Sequence, residues 1–278
     1  MCKIYTSNFR CNLTVLMLIV LFFNEIFIYK RYIASSVYND IISKYKQDYL
    51  GLIWSIILPI VPMTLYMMLS SIKAFKESEN MPYMFYITTG MTIWLLMSET
   101  IVITMKSIKK NKSILLKSNF PFSVVYISSI GELLVNTMIR LVFVIFILTY
   151  YSISIDVLNI FLTIFFMIPV IVFAFAFGIL LSIFDIYIPD TKRVIDMFLR
   201  YGLFLSSVIF PFPTDGTLGY INQLNIFNNF VNSVREILYF GELVTYTSYI
   251  VFSSLSFFIF VMAIIVSLKL EFKVRSTL

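Results

Sequence analysis

Between Asp48 and Lys73 the chain runs through YLGLIWSIILPIVPMTLYMMLSSI, 24 residues without a charge. A helix of that length spans roughly 36 Å, enough to cross a ~30 Å hydrocarbon core with some tilt. Pro59 and Pro62 lie inside the run. In water, two prolines so close break a helix, because each lacks an amide donor and crowds the preceding turn. In a bilayer, neighbouring helices re-satisfy the freed groups. The stretch therefore reads as a transmembrane helix. Composition extends that reading to the whole chain, which is 60% apolar and only 13% charged. Soluble domains carry about 25% charge. Long apolar runs make helices, whereas barrel strands alternate. The fold class expected is an all-α integral membrane protein.

Further apolar runs place six spans at about 50–72, 84–105, 124–150, 157–184, 197–212 and 243–268. They form one transmembrane domain over residues 30–275. Residues 1–29 are a separate apolar segment, with Lys3 and Arg10 ahead of a run that Asn24 and Glu25 interrupt. The run is short for a span, so it is expected to lie at the interface or to fray, with an extra transmembrane helix as the alternative. Lys30 to Gln47 reads as an amphipathic helix lying in the membrane plane. Ile33, Val37, Ile41 and Tyr45 recur every four residues, and Lys30, Arg31, Asp40, Lys44 and Lys46 take the other side.

Lysine and arginine set the orientation. With six spans, 14 of them fall on the side of the amphipathic helix and 3 on the other. Basic loops stay in the cytoplasm, so both ends of the six-span body are cytoplasmic. The densest group is KSIKKNKSILLKSNFP, which holds Lys106, Lys109, Lys110, Lys112 and Lys117 and no acid.

Polar residues inside spans are costly and face a protein interior. Glu132, Asn136 and Arg140 recur every four residues and share one face of the third span. They read either as a structural brace or as one wall of a substrate path. Phe198, Tyr201 and Phe204 line one side of the short fifth span, as core packing or as a surface on which sugar rings stack. Between Phe210 and Glu242, Pro211, Pro213, Asp215-Gly216 and several asparagines divide apolar pieces. That stretch is too polar to span and too apolar for a free loop, so a re-entrant segment of two short helices is expected at the outer face.

Some chemistry is excluded. The chain has no histidine, which removes imidazole acid–base catalysis and the commonest metal ligand. Its two cysteines suggest no disulfide framework. None of its eight glycines is followed by lysine, so it has no P-loop to cradle ATP. The net charge of +6 reflects loop topology, not nucleic-acid binding.

The opening of the first span carries a resemblance. Lys44-Tyr45-Lys46, then Leu50-Gly51, Trp54 and Pro59 follow a basic amphipathic lead-in. This resembles the permease subunit of bacterial type 2 ABC exporters, and within them the branch that exports capsule, O-antigen and teichoic acid polysaccharides. The resemblance implies a six-helix bundle with an N-terminal interface helix and a re-entrant outer segment before the last helix. It also implies a multi-pass protein of the bacterial plasma membrane, working as a homodimer. A separate ABC ATPase would bind ATP and magnesium, and this chain would bind no cofactor or metal. Lys106, Lys109, Lys110, Asn111, Lys112 and Lys117 would then form the ATPase-coupling element. Phe120-Pro121 also matches the family there. Asn225, Arg235 and Gly241 match the family pattern before the last span, with Ile226 where a proline is usual. Pro189-Asp190 departs from the usual Arg-Asp. The cargo implied is a lipid-linked polysaccharide. An exporter of a drug, peptide or lipid is the alternative. A membrane acyl- or glycosyltransferase is disfavoured, because Glu99, Glu132 and Asp185 are scattered over different spans.

Overall fold

A computed structural model describes residues 14–47, 64, 68, 81–117, 120–150, 156–211, 216–244 and 246–277. The expected first span, 50–72, lies outside the described residues, as do Leu50, Gly51, Trp54 and Pro59. The side chains of Tyr45, Lys46 and Glu132 lie outside them too. Regular structure among the described residues is helical. The helices are α1 (Val15–Ile28), α2 (Lys30–Gln47), α3 (Tyr83–Lys110), α4 (Lys112–Lys117), α5 (Phe122–Tyr150), α6 (Val157–Tyr187), α7 (Thr191–Gly202), α8 (Gly216–Leu224), α9 (Ile226–Phe240) and α10 (Tyr246–Thr277).

Among the described residues, α3, α5, α6 and α10 are long and apolar enough to cross a membrane. They occupy the second, third, fourth and last of the expected spans. Their ends follow from local chemistry. Asp156 caps α6, its carboxylate accepting from the Leu158 amide at 3.0 Å. Gly241 ends α9 in the left-handed region at φ 75°. Pro169 sits inside α6 without ending it, as membrane surroundings allow.

Helix α3 is the central post, packed on α5, α6 and α9. It buries Met91, Trp94, Met97 and Ile101 together with Phe173, Ala174 and Phe230 of its neighbours. Its threonines are also buried. Thr89 and Thr92 donate one turn back to the Phe85 and Thr88 carbonyls at 2.8 Å, and Thr100 to Leu96 at 2.6 Å. Those bonds satisfy hydroxyls that no water reaches. Lipid is as apolar as leucine, so helices there are held by close fit. Gly178 of α6 provides it: a Cβ would stand 2.7 Å from Thr104 Cβ and 3.0 Å from the Ile101 carbonyl of α3.

Two expectations change. The fifth span is not a continuous helix over 197–212. Helix α7 ends at Gly202, a 3₁₀ turn follows at Leu203–Leu205, and irregular backbone continues to Pro211. Twelve helical residues cover only about 18 Å, short of a full crossing. The helix gives way at Gly202, a residue that helices tolerate poorly, before it reaches Ser206-Ser207 and Pro211. Ser207 sits at φ 48°, unusual for a residue with a Cβ.

Helix α1 is not frayed but packed on the bundle. Leu18 and Phe22 are buried at 0% and 1% exposure in a cluster with Ala263, Ile264 and Leu268 of α10. The Phe22 ring meets Phe260 edge-on at 6.3 Å. Glu25, which interrupts the apolar run, accepts a hydrogen bond from Ser123 Oγ. The opposite face of α1 leaves Val20, Phe23 and Phe27 exposed. With Cys2 and Cys11 replaced by serine, a spin label at Phe23→Cys is expected to relax with dissolved oxygen and not with a water-soluble nickel chelate. Strong relaxation by the chelate would place α1 outside the hydrocarbon.

Candidate functional site

The lysine-rich stretch folds as a tight elbow between α3 and α5. Asn111 forms its corner. Its amide and its side-chain Nδ2 both donate to the Ser107 carbonyl, at 3.1 and 2.9 Å, which closes α3. Its own carbonyl accepts from the Ile114 and Leu115 amides, which opens α4. Ile108 and Leu115 point into the core and are buried.

The lysines divide into two groups. Lys109 Nζ lies 2.7 Å from both the carboxylate and the carbonyl oxygen of Asp185, at the end of α6. Lys110 Nζ lies 3.1 Å from Asp40 of α2. The first pair has a buried carboxylate and ties α3 to α6. The second is exposed and contributes about 0–1 kcal/mol. Lys112 and Lys117 are exposed on α4, beside exposed Leu116, and Lys106 is half-buried. The last helix reaches the elbow as well: Arg275 of α10 donates to the Leu115 and Phe120 carbonyls at 2.5 and 2.6 Å. The Phe120 ring packs against Tyr29 and Tyr32 at 4.8 and 4.5 Å between centroids. The elbow thus touches α2, α6 and α10 in addition to the helices it joins.

Asn136 and Arg140 share the buried face of α5, at 6% exposure each. The Arg140 guanidinium donates to the Glu99 carboxylate of α3. Sequence spacing missed this partner because it lies on another helix. The signal available was Glu99 itself, a carboxylate deep in an apolar span. Of the aromatic stripe, Phe198 meets Phe227 of α9 at 5.8 Å, and Phe227 also meets Trp94 and Phe173, each at 5.6 Å. Tyr201 and Phe204 face outward from α7 and its 3₁₀ turn. The structure therefore does not gather the three into one surface with Asn136 and Arg140.

At the end of the bundle away from the elbow, Asn225 and Arg235 hold the broken fifth segment. Asn225 caps α9 by accepting from the Phe227 and Asn228 amides at 3.0 and 3.3 Å, and its Nδ2 donates to the Leu205 carbonyl at 2.7 Å. Neighbouring asparagines join α8 to α9. Asn228 Nδ2 donates to the Asn222 carbonyl at 3.2 Å, and Asn229 Nδ2 to the Gln223 carbonyl at 2.9 Å. Arg235 is 2% exposed. Its Nη2 donates to the Ser207 carbonyl at 3.0 Å, its Nη1 to Asn232 Oδ1 at 2.8 Å, and its Nε to Thr89 Oγ1 at 3.4 Å. The guanidinium lies over the Tyr86 ring at 3.6 Å, and Tyr86 Oη also donates to the Ser207 carbonyl, at 2.8 Å. Gly90 makes room, since a Cβ there would stand 2.4 Å from Arg235 Nη2. This arrangement supplies hydrogen-bond donors to non-helical backbone. Among the described residues no cluster of side chains could hold a metal ion.

Residues 31–239 match the family model described as ABC-2 type transporter. No curated protein matches the chain.

Arg235→Lys keeps the charge but cannot reach Ser207, Asn232 and Thr89 at once. It is expected to destabilise the protein by roughly 2–3 kcal/mol, the scale of a charge-assisted hydrogen bond lost in a dry site. The check is the thermal midpoint of the purified protein. An unchanged midpoint would show that Arg235 does not hold the break.

Proposed function

The chain belongs to the ABC-2 type transporter family and is a transport permease, and from that premise we propose that it carries a lipid-linked polysaccharide outward across the bacterial plasma membrane. Permeases of this family normally work with an ABC ATPase. In the proposed assembly two copies of this chain form the path and two ATPase chains dock on its elbows from the cytoplasm. ATP binding then shifts the dimer between states that differ in access to the path, because nucleotide favours one arrangement of the docked ATPases over the other. The chain makes and breaks no bond in the cargo. ATP and magnesium belong to the partner.

The observation that carries this reading is the elbow. A short helix that presents Lys112, Lys117 and Leu116 outward suits a partner with an acidic rim and an apolar centre. The contacts of the elbow with α2, α6 and α10 suit the passing of a displacement into the bundle. The polysaccharide assignment is supported by the opening motif from Lys44 to Pro59 and by the exposed Tyr201 and Phe204, whose faces suit sugar rings.

Charge reversal at the outward lysines tests docking. Lys112→Glu with Lys117→Glu is expected to abolish co-purification with its ABC ATPase, while Lys110→Glu alone has a smaller effect. Retained co-purification would overturn the docking role. The cargo is tested by deleting the gene: surface polysaccharide should vanish and lipid-linked polymer should accumulate in the cytoplasm. Intact surface polymer would refute the cargo assignment.

A further inference from the structure

Helix α10 continues past Leu268 for nine more residues, carrying Lys269, Glu271, Lys273 and Arg275. This extension is not a frayed tail. Glu271 is 2% exposed and Val274 is fully buried, so one face of it is packed. Arg275 lies at the centre of that contact. Nη1 donates to the Leu115 carbonyl at 2.5 Å, and Nη2 donates to the Phe120 carbonyl at 2.6 Å and to Glu271 Oε1 at 2.9 Å. The guanidinium also faces the Phe122 ring at 5.5 Å. Arg275 lies beyond the residues matched by the family model, 31–239, so the match assigns it no role.

The carbonyl chemistry explains the choice of residue. The last four carbonyls of a helix have no partner within it, and Leu115 is among the last four residues of α4. A helix of six residues does not hold itself, because nucleation costs more than so few bonds return. One guanidinium spans the Leu115 and Phe120 carbonyls together, and Glu271 holds its plane. A lysine ammonium in its place would put its donors on one nitrogen and lack the two separate nitrogens that here reach Leu115 and Phe120 in a fixed plane.

We propose that Arg275, oriented by Glu271, is a positioning residue that clamps the elbow helix to the last span, so that α10 follows any displacement of α4. The clamp would make the C-terminal end of the chain part of the drive from ATPase to bundle. The clamp itself stands on the contacts alone; its role in the drive rests on the elbow being the ATPase docking surface.

The test uses the full chain in lipid nanodiscs, with and without its ATPase, as Arg275→Lys, Arg275→Gln and Glu271→Gln. Backbone amide exchange over 112–122 is read first. Both Arg275 variants should speed it about tenfold, the size expected for one lost charge-assisted hydrogen bond, while α9 keeps its protection. Unchanged exchange overturns the clamp. Arg275→Lys retains length and charge, so it carries the test if Arg275→Gln fails to accumulate. With the ATPase present, affinity for the complex should be unchanged, since Lys112 and Lys117 are intact, while transport per ATP hydrolysed falls. Fast exchange with normal transport per ATP overturns the role in the drive. If the wild-type chain neither binds nor stimulates the ATPase, the docking reading fails, and with it the drive, but the exchange result still decides the clamp.

Discussion

Inside a hydrocarbon slab a backbone carbonyl has no water to bond, so each departure from a helix must be matched by a donor from the protein itself. That constraint governs the broken fifth segment, and burial of Leu115 imposes the same need at the elbow. Where α7 stops and the chain continues without helix, Tyr86 and Arg235 converge on the Ser207 carbonyl, and Asn225 takes that of Leu205. At the elbow, Asn111 takes the Ser107 carbonyl and Arg275 those of Leu115 and Phe120. The two arginines do the same work at opposite ends. Each is a rigid fork of donors with partners fixed in more than one direction, which a flexible ammonium cannot imitate.

Arg140 differs. Its partner is the Glu99 carboxylate, and the pair joins α3 to α5 deep within the apolar bundle. A charge there is tolerable only when neutralised by a neighbour. Breaking such a pair leaves an uncompensated ion and is far more damaging than replacing both partners. The pair therefore fixes which helices are neighbours more than it adds stability. It also ties the post at the centre of the core to a helix with a largely exposed surface.

Much of this was legible in the sequence, for physical reasons. Long apolar runs gave α3, α5, α6 and α10, uncharged across the bilayer in α6 and α10 and carrying a few isolated charges in α3 and α5, because hydrocarbon leaves few alternatives to a long helix. Asn225 stood out in the sequence as a match to the family pattern, and the structure gives it the work of capping α9. The failures share one cause. The break after Gly202 is invisible to hydropathy, since LFLSSVIF is as apolar as a helix would be; its carbonyls are met by Tyr86, Asn225 and Arg235, the last 28 residues beyond Ser207. Glu99 and Arg140 are 41 residues apart, and Arg275 is 160 from Leu115. Pairings over such distances follow from how helices assemble, and no local pattern announces them. The burial of α1 was hidden in the same way, because Glu25 reads as an interruption until Ser123 is seen beside it.

The approach of Gly178 to Thr104 has a mechanical corollary. Where one helix has no Cβ and the other seats a threonine in the gap, the two interlock like gear teeth, and an axial slip of either would drive the threonine methyl into the other's main chain. Helices α3 and α6 are thereby keyed into a single stiff beam. Any swing of the remaining helices takes place around that beam, whose own two halves keep their register.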